Sequence, residues 1–245
     1  MTRDISRVTR SKEEARTTYN RLSRFYDLLT VFGEKRLREQ ALRRLAASSG
    51  ERVLEIGFGT GRALVALARA VGPAGKVSGI DISDGMMAVA HVRLARAGLA
   101  ARVTLLRADA ASLPLPDASF DAVFASFTLE LFDTPEIPVV LKECRRVLRP
   151  GGRLVVVALS RRGGGGCALE LYEWAHRALP RWVDCRPIYV KEALCEAGFE
   201  IVSVDTDRMW GLPVETVAAV RPGSHEAETR TPTPRHPGAE GRSEP

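Results

Sequence analysis

The sequence predicts an α/β protein: a seven-stranded, mostly parallel sheet with helices on both faces and an N-terminal helical cap. Three observations predict it. From residue 51 onward, short apolar runs alternate with single helical stretches, as parallel strands joined by crossover helices require. The first of these runs opens directly into a glycine-rich turn. The 50 residues before it carry helical periodicity instead.

The cap is read first. In residues 12–30, Tyr19, Leu22, Phe25, Tyr26 and Leu29 recur three or four apart, the stripe of an amphipathic helix. A second helix is predicted over 34–47, with Leu37, Ala41, Leu42 and Leu45 in register and Ser48-Ser49-Gly50 ending it. Strands are expected over 52–56, 76–80, 102–107, 120–126 and 153–159. Helices over 60–71 and 84–97 separate the first three. A third is opened by Thr134 and Pro135 in the N-cap and first helical positions and runs to residue 148. Four glycines, 163–166, read as a flexible connection. Helices over 168–179 and 191–197 and strands over 199–204 and 213–220 complete the pattern. Residues 221–245 hold five prolines and no Leu, Ile, Val or aromatic residue, too little apolar surface to order themselves. The expected organisation is a cap (1–50), a catalytic-size α/β domain (51–220) and a disordered tail (221–245).

At 245 residues, 45% apolar and 27% charged, the composition is that of an ordinary globular protein. No apolar run approaches the roughly 18 to 20 residues of a membrane helix, and M-T-R-D-I-S-R lacks the apolar core of a secretory signal. The four cysteines (Cys144, Cys167, Cys185, Cys195) form no C-x-x-C pair. Reduced thiols in a cytoplasmic protein are therefore expected, with no metal site. Cys144 and Cys195 read as small core residues. The net charge of +6 sits in the first 50 residues, where twelve Lys/Arg face six acids. Interspersed acids and few aromatics favour a solvated helix face over a nucleic-acid surface, while peripheral contact with an anionic membrane stays open.

The turn after the first strand carries the chemistry. V-L-E-I-G-F-G-T-G spans Val53 to Gly61, and glycines 57, 59 and 61 allow a tight turn and close approach to a ligand. The helix that follows aims its first amides at that ligand. Twenty residues beyond Gly61, Asp81 ends the second strand in G-I-D-I-S, where a carboxylate suits ribose hydroxyls. Together these imply an adenosine cofactor. A dinucleotide loop reads G-x-G-x-x-G; here it is G-x-G-x-G, and Glu55 sits two residues before the first glycine. An acid there suits a cationic ligand end better than a pyrophosphate.

With A-D-A-A-S-L-P-L-P-D-A-S-F-D-A-V (108–123) and R-V-L-R-P-G-G-R-L (146–154), these motifs make residues 17–160 resemble the class I S-adenosylmethionine-dependent methyltransferases. Within them the chain is similar to the ubiquinone/menaquinone C-methyltransferase-like (methyltransferase type 11) branch. The resemblance implies a Rossmann-like fold and S-adenosyl-L-methionine as cofactor. It implies that Gly57, Gly59, Thr60 and Gly61 contact the methionine part, with Glu55 toward its amino end. Asp81 would hold the ribose, Ile82 and Met86 border the adenine, Asp109 and Ala110 read its edge, and Ser126 lie beside the sulfonium.

In that fold the acceptor lies over the carboxyl ends of the strands. Tyr19, Tyr26, Glu130, Tyr172, His176, Arg186 and Tyr189 are the candidates to line it, and Glu130, Tyr26 and His176 are the candidate catalytic groups. Quinone methyltransferases usually carry an Arg-Asn pair after the fourth strand; this chain has Glu130-Leu131. The expected reaction is methyl transfer to a small acceptor, quinol-like or a lipid head group. Its competitors are a nicotinamide-dependent oxidoreductase and a non-catalytic adenosine- or nucleic-acid-binding module. Residues 12–30 and 163–190 are expected to form a lid over the acceptor.

Overall fold

The computed structural model describes residues 12–22, 26–162 and 185–223, with the backbone alone described at 12, 15, 19, 21, 22 and 26–32. Helices α1 (Lys12–Leu22) and α2 (Tyr26–Leu45) precede the sheet. Then come β1 (Arg52–Ile56), α3 (Arg62–Ala70), β2 (Lys76–Asp81), α4 (Asp84–Arg96), β3 (Val103–Arg107), β4 (Phe120–Ser126) and α5 (Ile137–Val147). The chain continues with β5 (Leu148–Leu159), α6 (Val190–Glu196), β6 (Glu200–Met209) and β7 (Leu212–Val220). The sheet order is β3-β2-β1-β4-β5-β7-β6. The pairs from β3 through β5 are parallel, and β7 runs antiparallel to both neighbours. The expected Rossmann-like sheet of seven mostly parallel strands is what forms.

Strand side chains alternate between two apolar layers, as a sheet covered on both faces demands. On one face Leu37, Ala41 and Leu45 of α2, Leu64 and Leu67 of α3, and Met86, Ala90 and Leu94 of α4 pack on Val53, Phe124, Val155 and Val157. On the other, Ile137, Val140, Leu141 and Cys144 of α5 and Val190 and Leu194 of α6 pack on Leu54, Ile56, Val123, Leu154 and Val156. Each buried Leu or Ile contributes about 2 kcal/mol of transfer free energy.

Helix α2 crosses the first face from the carboxyl edge of the sheet to its amino edge. At its lower end Arg153, next to the start of the apolar part of β5, donates to the carbonyls of Leu45 (2.5 Å) and Ala46 (3.0 Å) and to Glu51. At its upper end Gly33 meets the β6–β7 hairpin. A Cβ there would lie 2.7 Å from Met209 Cγ.

That contact explains the first departure from the sequence reading. The expected junction near residue 30–34 is absent: α1 stops at Leu22 and α2 runs unbroken through Gly33. The glycine serves close packing, which outweighs its helix penalty of about 1 kcal/mol. Helix α5 begins at Ile137, so Thr134 and Pro135 do not open it. The Asp133 carbonyl accepts from Glu136 N (2.8 Å) and Ile137 N (3.2 Å), and Pro138 supplies the first-turn proline. Thr134 Oγ1 instead accepts from Arg186 (3.1 Å).

Strand β6 runs five residues past its expected end, and there Asp205 and Asp207, on the face toward α2, are held by Arg44 and Arg36 of that helix. Cys144 is core, but Cys195 is exposed rather than core. The expected tail begins with a docked residue. Arg221 pairs with Gly151 and Gly152 through its backbone and donates from its guanidinium to the carbonyls of Arg145 and Leu148. Residues 163–184, which hold the four glycines, Cys167 and the expected helix 168–179, lie outside the described residues, as do 224–245.

Candidate functional site

Strand β1 delivers the glycine loop to the carboxyl edge. Gly57, Gly59 and Gly61 all take left-handed backbone, with φ of 68°, 49° and 77°, so each position favours glycine. The space around them differs. A Cβ on Gly57 would lie 2.3 Å from Thr128 Cγ2, and one on Gly61 would lie 2.9 Å from Ala90 Cβ. One on Gly59 would meet nothing within 4 Å. The loop is thus clamped at both ends and open in the middle.

Asp81 holds that shape. Its carboxylate accepts from Gly59 N and from Ser83 N, each at 2.9 Å. Burial raises its pKa from the ordinary value, against the lowering effect of backbone donors at Ser83, Gly59 and Ile82. A carboxylate offers about four lone-pair positions, so acceptor capacity is left for ligand hydroxyls.

Thr60 is buried, and Arg93 of α4 donates to both its carbonyl (2.7 Å) and its hydroxyl (2.8 Å). The glycine loop and the helix beyond Asp81 are therefore tied together. Ser83 caps α4 by accepting from Met86 N (3.1 Å). Asn20 of α1 completes this corner, its Oδ1 accepting from Ser83 Oγ (2.7 Å) and Gly85 N (2.9 Å). Met86 is a core side chain, Ile82 is half-buried, and Ala110 is buried. Asp109 folds an Asx turn, accepting from Ala111 N (2.9 Å).

Glu55 is only 4% exposed, and its Oε2 has no hydrogen-bond partner. Burial pushes its carboxyl well above the ordinary range, against the smaller opposing field of Arg38, while Asp81 adds to the rise. A buried carboxyl oxygen without a partner costs about 1 to 3 kcal/mol, which a ligand donor would recover. Together with the open face at Gly59 and the spare acceptor capacity of Asp81, it fits a ligand with an amino group and ribose hydroxyls. S-adenosylmethionine has both. Among the described residues no cluster of His, Cys, Asp or Glu could hold a metal ion.

The β4–α5 loop forms the neighbouring wall. Ser126 ends β4, half-buried, and its carbonyl accepts from Thr128 Oγ1 (3.1 Å). Phe127 adopts φ 52°, a strained conformation for a non-glycine residue. Glu130 is fully buried, and its Oε1 accepts from Leu159 N (3.3 Å). Arg186, 1% exposed, donates to Phe132 O (2.5 Å) and Thr134 Oγ1. Tyr189 is half-buried just before α6. The side chains of Tyr19 and Tyr26, and all of Tyr172 and His176, lie outside the described residues, so the lid contact expected between 12–30 and 163–190 does too.

Sequence reasoning missed Thr128, Arg93, Asn20, Arg38 and Glu215. The last is buried on β7, hydrogen-bonded to Ser160, its pKa raised by burial. An acid inside L-P-V-E-T-V-A-A-V is the same signal that singled out Glu55.

Residues 53–152 match the family model of the methyltransferase domain. Over this segment the chain is similar to S-adenosylmethionine-dependent methyltransferases. The chain is 38% identical over 155 residues to the demethylmenaquinone methyltransferase of Geobacillus kaustophilus, covering 61% of this chain and 65% of that one. It is 34% identical over 154 residues to the enzyme of that name from Staphylococcus aureus, covering 61% and 62%. It thus spans slightly less than two thirds of either relative. Among solved structures, a SAM-dependent methyltransferase from Aquifex aeolicus is 27% identical, with a TM-score of 0.56, covering 75% of this chain and 88% of that one. The 4+2 cyclase SpnF shares the fold at a TM-score of 0.73 and 22% identity, covering 91% of this chain and all of that one. The matched segment ends within β5, and β6 and β7 lie beyond it. No helix among the described residues is long and apolar enough to cross a membrane.

Proposed function

We propose that the protein transfers the methyl group of S-adenosylmethionine to a small, lipophilic, quinol-like acceptor. The observation that carries the cofactor half is Glu55, a buried carboxyl lacking a partner at Oε2, beside the open face of Gly59 and the carboxylate of Asp81. In this reading Glu55 receives the cofactor's ammonium group and Asp81 its ribose hydroxyls. The Gly57–Gly61 loop lines its methionine part, Ile82, Asp109 and Ala110 border the adenine, and Ser126 faces the reacting end. The cofactor, when bound, supplies an already activated methyl group. The chain's own task is then to align the acceptor and keep water out.

The quinol-like class is supported by the two demethylmenaquinone methyltransferases, each at least 34% identical. Glu130 stands where those enzymes' branch usually has Arg-Asn. By holding the Leu159 amide it fixes the end of β5 to the loop after β4, so we assign it a positioning role in the acceptor wall, alongside Arg186. The basic first 50 residues suit contact with an anionic membrane surface, from which a lipophilic acceptor could be drawn.

The test supplies methyl-labelled S-adenosylmethionine with a reduced demethylnaphthoquinone or with phospholipid vesicles. Label in the quinol is the expected result. Label confined to lipid head groups would move the acceptor to another class, and selective binding of a nicotinamide dinucleotide would sink the methyltransferase reading itself.

A further inference from the structure

The β6–β7 hairpin turns in two residues. Met209 pairs with Leu212, and between them Trp210 and Gly211 both take left-handed backbone, with φ of 51° and 82°. A two-residue loop with both central φ positive is a type I′ turn, whose first position favours Asn, Asp or Gly. A bulky aromatic there is strained. The strain does not serve the core: Trp210 is 65% exposed, whereas Met209 and Leu212 beside it are buried. Helix α2 makes a second concession to the same ring. A Cβ on Gly33 would lie 3.4 Å from Trp210 Cε2, besides meeting Met209. The indole thus leans on a glycine that weakens its helix and leaves most of its surface to solvent.

The position of the tip gives this exposure a direction. In the antiparallel β5–β7 pair Val214 stands opposite Leu159, and Pro213 O accepts from Ser160 N (2.8 Å). The turn therefore sits at the carboxyl edge of the sheet, the edge that carries the glycine loop and Ser126. Strand β7 is two strand spacings, about 10 Å, from β4. The surroundings are basic. Arg208 is exposed and donates to Gly211 O (3.2 Å), meeting no carboxylate among the described residues. Residues 34–45 of α2, against which the hairpin lies, hold five cations and two acids. Asp205 and Asp207 of β6, paired with Arg44 and Arg36, offset only part of that charge.

We propose that the β6–β7 tip docks the protein on an anionic lipid bilayer, with Trp210 entering the headgroup boundary and Arg208 and the α2 cations meeting lipid phosphates. An indole with one apolar body and one polar N–H suits that boundary, and the net charge of +6 suits an anionic one. The use of such docking rests on the lipophilic-acceptor reading above: it would turn the carboxyl edge, with the acceptor wall, toward the layer that dissolves a lipophilic quinol.

Co-sedimentation of the full chain with vesicles tests this, using phosphatidylcholine alone or mixed with phosphatidylglycerol. The wild type should bind the mixed vesicles, less so as salt is raised, and its tryptophan emission should shift to the blue. Trp210→Asn should weaken that binding about 10-fold, the scale of withdrawing an indole from an apolar boundary, and remove most of the shift. Trp210→Phe should keep most of the binding. Because Asn suits the turn, Trp210→Asn should melt at or slightly above the wild-type temperature, which separates lost docking from a damaged fold. Equal binding by wild type and Trp210→Asn overturns the proposal. So does a lipid-free dimer that the substitution dissolves, since the tip would then belong to a second copy. The acceptor reading is tested apart from it. A tail-less, water-soluble demethylnaphthoquinol should be methylated equally by both proteins. If the wild type binds vesicles yet methylates no quinol, the acceptor reading falls and the docking tip stands.

Discussion

At the scale of single residues, the site is built from groups whose cost only a ligand offsets. Glu55 is the plainest case. Its folded-state pKa is raised, so the folded protein holds that proton more tightly than the unfolded chain does. The stability this provides is complete below the ordinary carboxyl range and is lost as pH rises toward the elevated value. Glu55→Gln, neutral at every pH, should match the wild type in melting temperature in mild acid and exceed it at pH 8. Thermal denaturation across pH checks this, and parallel curves for the two proteins would contradict it. Ligand binding should show the opposite preference, because an ammonium group favours the ionised carboxylate. Cofactor affinity of the wild type should rise with pH, and that slope should flatten in Glu55→Gln. Gly57 is constrained in another way. Both its φ and the 2.3 Å approach to Thr128 forbid a side chain, so Gly57→Ala should cost about 1 to 3 kcal/mol of stability. Gly59→Ala, strained but unobstructed, should cost less in the apoprotein and more in cofactor affinity. Denaturant titration and calorimetry on both variants separate the two costs.

At the scale of elements, strands were legible where burial on both faces left continuous apolar runs, as in V-L-E-I and R-L-V-V-V-A-L. Their ends were not. The polar half of β6 reads as loop, because an edge strand with one wet face lacks that run. Gly33 reads as a break between two helices until Met209 is seen pressed against it. Thr134-Pro135 carries every local sign of a helix start, but Arg186, more than fifty residues on, takes the threonine oxygen, and no local pattern shows that. The glycine loop and Asp81, which the structure joins through Gly59 N, were legible because glycine spacing and strand-end position are local facts. Arg38, Arg93, Asn20 and Thr128 were not, since each reaches the site from an element whose placement only the fold decides. Arg93 offers a test of such a tie. Arg93→Met keeps much of the side chain's bulk but removes both bonds to Thr60. It should weaken cofactor binding several-fold with little change in melting temperature. A large fall in melting temperature instead would make Arg93 a strut of the fold.

At the scale of the whole molecule, the sheet divides into two working halves. Strands β1 to β4 present the groups proposed to hold the cofactor, while β5 to β7, with α5 and α6, back the wall proposed for the acceptor. The C-terminal limit of the second half is set by Arg221, whose guanidinium gathers carbonyls where α5 passes into β5. A chain ending after Gly223 should therefore keep the full-length melting temperature within about a degree, since the residues removed lack core-forming side chains. One ending after Val220 should melt several degrees lower. Equal melting of the two shortened chains would show that Arg221 contributes nothing.

The order of strands has a consequence for how the protein is made. The last strand to leave the ribosome, β7, is not an edge but the inner partner of β5 and β6. Until residue 220 has emerged, the Val155–Leu159 stretch of β5 presents an unpaired apolar border, and β6 has no neighbour to join. Every sheet residue proposed to hold the cofactor is synthesised earlier, between 55 and 126. The nascent chain could assemble its ligand-binding half while carrying an exposed strand edge of the kind that recruits other chains into aggregates. Early capture of the cofactor would steady the finished half during that interval, so the small molecule used in catalysis would also act as a companion to folding.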